Sequence, residues 1–306
     1  MATVAAAARP VEAEKRKVAA GLWENAWYRL RRDRLTIVSA VTMIVLGLAS
    51  AAAPLLADHV FKTTELQQDL LSTYAKPTLD PPKYLFGGDE LGRSQIVRLL
   101  YGGQISLFIG FVAAFMNITI GVALGLVAGY FRGFIDDIIT WFVTTLNSVP
   151  TIFLLIIFSA LFSPSALLLT IVIGVLFWTG VTNFVRGQTF ALREREFITA
   201  ARTIGAPPVR IMTRHILPNV LPLIFVLMAI DVGTIILAES ALSYLGLGVP
   251  PGTPSWGSML TNAASYFHRA PWLVISPGLA IFVTVLCLYL VGDGLRDALD
   301  PRLKQG

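Results

Sequence analysis

Residues 106–130 read SLFIGFVAAFMNITIGVALGLVAGY, a run without a single charged side chain. A helix rises about 1.5 Å per residue, and a hydrocarbon core about 30 Å thick needs about twenty apolar residues to cross it. This stretch is therefore read as a membrane span. It is not alone, because uncharged stretches cover 35–57, 99–131, 138–185, 215–230, 240–268 and 270–292. The run 138–185 is too long for one pass and is divided at Ser163-Pro164-Ser165, where proline interrupts helix. Residues 240–268 carry Val249-Pro250-Pro251-Gly252-Thr253-Pro254, which is loop chemistry. Six spans result, at about 35–56, 106–130, 138–162, 165–184, 218–240 and 272–292.

The composition agrees. Of 306 residues, 55% are hydrophobic and only 14% charged, with a mean hydropathy of +0.69. So little charge cannot coat two soluble domains, since soluble proteins carry roughly 25% charged residues. The expected fold is an all-α integral membrane protein. The single Cys287 lies in an apolar run and forms no intrachain disulfide; it reads as a small packed hydrophobe. A net charge of +5 does not point to nucleic acid, because the cations gather in short segments between the apolar runs.

That distribution sets topology. With the N-terminus inside, the segments 1–34, 131–137, 185–215 and 294–306 hold 18 Lys and Arg, whereas 57–105 and 241–271 hold 6. The excess marks the cytoplasmic side, so both termini are expected in the cytoplasm. Residues 1–34 form an N-terminal tail, 35–293 the transmembrane domain and 294–306 a C-terminal tail. The first apolar run, from Leu35, is full-length and is expected to remain as an anchor rather than be cleaved. Before it, Trp23, Trp27 and Leu30 share one helical face with arginines beside them, as in a helix lying in the membrane interface.

Within the spans, Gly121, Gly125 and Gly129 recur every four residues and form a stripe where another helix can approach closely. Asn147-Ser148-Val149-Pro150 falls inside the third expected span. Proline frees a carbonyl there, and this point is expected to kink and to face the bundle interior. Asp231 and Glu239 are carboxyl groups in the fifth span and must face protein or water. Asp231 is either a pathway-lining group or one hydrogen-bonded between helices. Glu239, near the outer end, reads as a structural or gating contact ahead of direct substrate binding. Asn147, Pro150, Asp231 and Glu239 are the pathway candidates.

Catalytic signatures are missing. The sequence has no G-x-x-x-x-G-K-[ST] phosphate loop, no G-x-S-x-G and no H-E-x-x-H. His59, His215 and His268 are far apart without ligand-spaced partners, so no metal site is expected. The chain is expected to be a conduit rather than an enzyme.

The segment between the fourth and fifth spans runs Glu194-Arg195-Glu196-Phe197-Ile198-Thr199-Ala200-Ala201-Arg202-Thr203-Ile204-Gly205-Ala206-Pro207-Pro208 and continues to Leu217-Pro218-Asn219. Phe197, Ala200, Ala201 and Ile204 share a helical side, Gly205 suits a C-cap, and Pro207-Pro208 blocks continuation. Such a face can insert into a partner's groove. The segment resembles the cytoplasmic coupling loop of ABC importer permeases, with Ala200, Ala201, Gly205, Leu217 and Pro218 in register. Thr199 stands where the family has glutamate, with Glu194 and Glu196 as nearby acids, and His215 stands where it has isoleucine. Phe86-Gly87-Gly88-Asp89-Glu90-Leu91-Gly92-Arg93, Glu239-Ser240-Ala241-Leu242-Ser243-Tyr244-Leu245-Gly246 and the tail Gly292 to Arg302 are similar to the C-type permease subunit of dipeptide, oligopeptide and nickel importers.

The resemblance implies the type I ABC importer permease fold in a bacterial inner membrane. It also implies a homologous second permease subunit, two cytoplasmic ATPases binding ATP and Mg, and an extracytoplasmic substrate-binding protein. Glu196, Phe197, Thr199, Ala200, Ala201, Ile204, Gly205, Leu217 and Pro218 become the expected ATPase-coupling residues. This chain itself is expected to bind no cofactor and no nucleic acid, only membrane lipid and its partners. Peptide is the leading substrate, with nickel, glutathione and sugars as alternatives. The competing reading is an ion-coupled secondary transporter or channel acting alone, in which Asp231 would relay protons.

The topology is tested at Gln67 in a Cys287→Ala background. A cysteine placed there should react with an impermeant thiol reagent in intact cells; labelling confined to inverted vesicles would reverse the orientation.

Overall fold

The computed structural model describes residues 22–162 and 165–299. Met1–Pro10, Ser163-Pro164, Asp300-Pro301-Arg302 and the Trp23 side chain lie outside the described part. The described residues contain helices and no strand, with one isolated bridge between Gly88 and Ser94.

Helix α1 (Leu22–Leu30) is short and packs against the last helix. Trp27 and Tyr28 are exposed, with the Arg31 and Arg32 guanidinium groups 4.7 and 4.3 Å from their ring centres. Helix α2 (Arg34–Ala51) starts at Asp33, whose carboxylate accepts from the Leu35 amide and the Thr36 hydroxyl. Leu35, Val38, Val41, Val45 and Leu48 are exposed along it, the pattern a lipid-facing helix requires.

Helix α3 (Gln95–Phe131) is 37 residues long and begins well before residue 106, so residues 95–105, read as outer loop, are helical. The Ser94 hydroxyl caps it by accepting from the Val97 amide. Apolar periodicity locates the buried part of such a helix, while its polar first turns carry no hydropathy signal.

The third span, expected over 138–162, is instead two helices, α4 (Gly133–Asn147) and α5 (Thr151–Leu161), bent by 76°. Pro150 has no amide hydrogen and adopts extended backbone at φ −55°, ψ 125°. A proline also drives its preceding residue out of helix, so the chain breaks rather than kinks. Asn147, Ser148, Val149 and Pro150 are all exposed on this chain. The expectation that they face its own interior is thereby corrected.

Helix α6 (Ala166–Leu176), capped by Ser165, continues through Phe177 into α7 (Trp178–Arg193) as one span. The short α8 (Glu196–Thr203) follows. A helical turn at Pro208–Ile211 and a π-helical turn at Met212–Ile216 lead into α9 (Leu217–Tyr244), and α10 (Trp272–Leu299) closes the fold. Both last helices outrun the expected spans 218–240 and 272–292. Among the described residues five helical runs are long and apolar enough to cross a membrane, and α4–α5 makes six if it counts as one bent span.

Helix α3 is the central post, packed against α2, α6, α7 and α9. Its glycine face meets α7 as a ratchet. A Cβ on Gly121, Gly125 or Gly129 would lie 2.6, 2.7 or 2.5 Å from the Cβ atoms of Val181, Val185 and Thr189. The backbone carbonyls of Trp178, Thr182 and Arg186 are nearly as close. Only glycine permits this approach. Gly125→Ala should lower the melting temperature of the purified protein by several degrees, as overpacking costs about 1–3 kcal/mol. Gly180→Ala, at a site with no neighbour within 4 Å, should leave it unchanged; equal behaviour of the two variants would reject the ratchet.

Candidate functional site

Helix α8 stands at the end of the molecule rich in cations. Ile198 is fully buried and Ala201 is 7% exposed, and both turn toward the protein. Ile198 joins a cluster with Tyr130 of α3, Val185 of α7, and Ile211, Ile216 and Val220 of the approach to α9. Leu217 packs on the same cluster, while Pro218 is exposed. The opposite face of α8 is open. Ile204 is 85% exposed and Phe197 46%, with Glu196, Thr199 and Ala200 also exposed. The expected coupling face thus divides in two: Ala201 anchors, whereas Phe197, Ala200 and Ile204 are presented outward. Val209, exposed beyond the turn, extends this surface.

Gly205 ends the helix at φ +82°, a left-handed conformation that costs a β-carbon-bearing residue roughly 1–2 kcal/mol. The Ala206 amide then donates to the Ala201 carbonyl at 3.1 Å, closing the turn. No atom lies within 4 Å of a Cβ built on Gly205, so its requirement is conformational, not steric. Of the two acids near Thr199, Glu194 is paired with Arg132 at 2.9 Å. Among the described residues Glu196 has no cationic partner.

This end is braced from behind. Arg186 of α7 grips Asp136 of α4, with Nη2 donating to Oδ2 at 2.7 Å. The Arg193 guanidinium donates to the Tyr130 carbonyl at 2.6 Å. The platform beneath α8 therefore includes the ends of α3, α4 and α7.

Deeper in the bundle, Asp231 is half-buried and its Oδ2 accepts from Asn117 Nδ2 of α3 at 3.0 Å. Asn117 is fully buried and its own Oδ1 has no partner. Glu239 is fully buried and accepts from the hydroxyls of Ser106 at 3.3 Å and of Ser243 and Ser255, each at 2.7 Å. Ser106 also accepts from the Trp256 amide, and Trp256 Nε1 donates to the Leu99 carbonyl. Glu239 thus knots α3, α9 and the 253–258 loop. Among the described residues its carboxyl group is enclosed, with no exposed surface. Asn147 accepts from the Thr179 hydroxyl at 2.8 Å, tying the α4 end to α7. The four pathway candidates do not converge on one site.

At the end of the molecule opposite α8, in the segment before α3, Asp69 accepts from Ser72, Lys83 and Tyr84. The hydrogen bond from Ser72, followed by those from Tyr84 and Lys83, holds its carboxyl below the usual range. Ser106, Asn117, Asp136, Ile198 and Trp256 were not singled out from the sequence. Asn117 did carry a signal, as an amide in an otherwise apolar span. The others sit in polar or apolar company that hides them.

Residues 121–305 match the family described as binding-protein-dependent transport system inner membrane component. Residues 21–82 match the N-terminal TM domain of oligopeptide transport permease C. The oligopeptide transport system permease protein OppC of Haemophilus influenzae is 37% identical over 92% of this chain and 89% of that protein. The protein of the same name from Bacillus subtilis is 35% identical over 98% and 96%. The dipeptide transport system permease protein DppC of Alkalihalophilus pseudofirmus is 36% identical over 95% and 93%. Among solved structures, a chain of the MetNI methionine ABC transporter in an inward-facing conformation superposes with a TM-score of 0.53 at 20% identity. It covers 67% of this chain and 96% of that one, a likeness of fold.

Proposed function

The chain belongs to the family of binding-protein-dependent transport system inner membrane components, and from that membership we propose that it is one permease subunit of an ATP-driven importer of di- or oligopeptides. It forms half of the translocation pathway beside a homologous second permease subunit. Two cytoplasmic ABC ATPases bind ATP and Mg, and an extracytoplasmic binding protein delivers the peptide. The chain has no ATP site of its own and lies in a bacterial inner membrane with both termini in the cytoplasm. The names of the curated relatives, which are peptide permeases, support the substrate class.

The observation that carries the coupling role is the two-sided α8. Its inner face is fused to the transmembrane core through Ile198 and Ala201, while Phe197 and Ile204 stand exposed. A push on the outer face is transmitted to α3, α7 and α9 through packed side chains, because close-packed interiors pass on displacement rather than absorb it. Glu196, free of a cationic partner, supplies the acid that Thr199 lacks. Gly205→Val should cut peptide transport several-fold in the reconstituted complex while the ATPases still copurify. Gly205→Asn should retain most transport, because asparagine tolerates the left-handed cap. Equal transport by both variants would overturn the coupling role.

Asp231 is assigned to the pathway wall, where its half-exposed carboxyl group meets the peptide amine. The break at Asn147–Pro150 is assigned to the same side, since an exposed stretch of non-helical backbone is tolerated at membrane depth only against protein or water. Glu239 serves as the outer knot rather than a substrate contact. Asp231→Asn preserves shape, so it should weaken transport of cationic peptides and leave assembly intact. Unchanged transport, or lost assembly, would remove Asp231 from the pathway.

A further inference from the structure

A cavity of about 270 Å³ opens on the outer side of the protein, away from Asp231. Its walls come from the Asp89–Arg93 segment, the first turn of α3 and the 246–262 loop. Gly246, Pro251, Gly252 and Asn262 are exposed around it and carry no charge. Arg98 lines the wall and is only 8% exposed. Its Nε is 3.5 Å from Asp89 Oδ2, and its Nη1 is buried without any hydrogen-bond partner.

The carboxylates nearby do not complete Arg98. Asp89 accepts from the Leu91 and Arg93 amides, each at 2.9 Å, and from Arg93 Nε at 2.7 Å. Glu90 is drawn to Arg93, 3.9 Å away, and to Tyr266. Burial first, and then the Glu90 carboxylate, push the Tyr266 hydroxyl up to about 12. Arg93 thus takes both acids, leaving one guanidinium arm of Arg98 unmatched at the N-terminal end of a long helix. That end also favours negative charge. Guanidinium groups select carboxylates because their paired N–H donors match two oxygens.

We propose that this cavity is a socket for one aspartate or glutamate side chain of the extracytoplasmic binding protein, clamped by Arg98. The inference rests on the importer reading above, which supplies that partner. At about 270 Å³ the cavity has room for a carboxylate side chain, and neither Asp231 nor Asn147 lines it, so it acts as an anchor rather than as part of the conduit. Anchoring there would position the binding protein over the Glu239 knot, because two cavity-lining residues reach it: Ser243 of α9 donates to Glu239, and the Ser258 amide of the loop donates to Ser255.

The test uses the complete complex in lipid nanodiscs, with binding of its substrate-binding protein measured by interferometry. Arg98→Gln should weaken the dissociation constant by roughly 30-fold or more, the usual loss when one partner of a buried charge pair is removed. Thr253→Trp keeps Arg98 but fills the cavity from its half-buried wall, and should also weaken binding by about tenfold. This second variant decides the matter if Arg98→Gln fails to fold. One acidic-to-amide substitution on the binding protein should reproduce the loss and add nothing to that of Arg98→Gln. Wild-type affinity in Thr253→Trp would make Arg98 a structural cation and overturn the socket. No binding to the wild-type complex would instead sink the importer reading from which the socket follows.

Discussion

The hydrocarbon layer offers no water, so each polar group carried into it must find a partner inside the protein. The rest of this structure depends on how Glu239 meets that demand. Its carboxyl group collects three serine hydroxyls from α3, α9 and the 253–258 loop, and Ser106 in turn accepts from the Trp256 amide. Trp256, 1% exposed, is thereby seated among Ile109, Ile236 and Leu242. A loop made of Pro250, Pro251, Gly252 and Pro254 has little regular structure of its own. The knot gives it a defined position over the bundle, and residues of the held loop wall the cavity beside Arg98.

The central helix α3 is built for contact along its length. At one end Ser106 joins the knot; in the middle Asn117 reaches Asp231; toward the other end Gly121, Gly125 and Gly129 receive α7. The glycine face brings backbones within reach of each other where lipid supplies no hydrophobic drive for association. Close approach in turn places Arg186 of α7 against Asp136 of α4. The platform beneath α8 is thus a consequence of packing set several turns away.

The platform joins function to fold. Ile198 and Ala201 are small investments of sequence, two residues in an eight-residue helix, yet they decide which face of α8 is left for a partner. Since the cluster around Ile198 contains residues of α3, α7 and the approach to α9, α8 is connected to the helices that carry Asn117, Asp231 and Glu239. Within this chain the exposed face of α8, the Asn117–Asp231 pair and the Glu239 knot are therefore parts of one packed body.

Hydropathy and charge alone determined that the chain is helical and membrane-embedded, roughly where its apolar runs lie, and that residues 196–206 form a capped helix before a proline stop. These properties are local: they depend on runs of apolar residues, on a glycine at a left-handed position and on prolines that cannot continue a helix. The close α3–α7 approach was legible too, because the spacing of Gly121, Gly125 and Gly129 is itself a helical face. The tertiary structure decided what depends on a partner distant in the chain. Periodicity placed Ala201 with Phe197 and Ile204, but burial against α7 and α9 separated them. Pro150 announced a distortion, but only the tertiary structure set it as a 76° break, with Asn147 tied to Thr179 of α7. Asp231 and Glu239 looked alike in sequence, two carboxyl groups eight positions apart. One meets Asn117 and stays half open, while the other is enclosed by serines up to 133 residues away. That difference lies in no local pattern, because it is set by which side chains the fold brings opposite each carboxyl group.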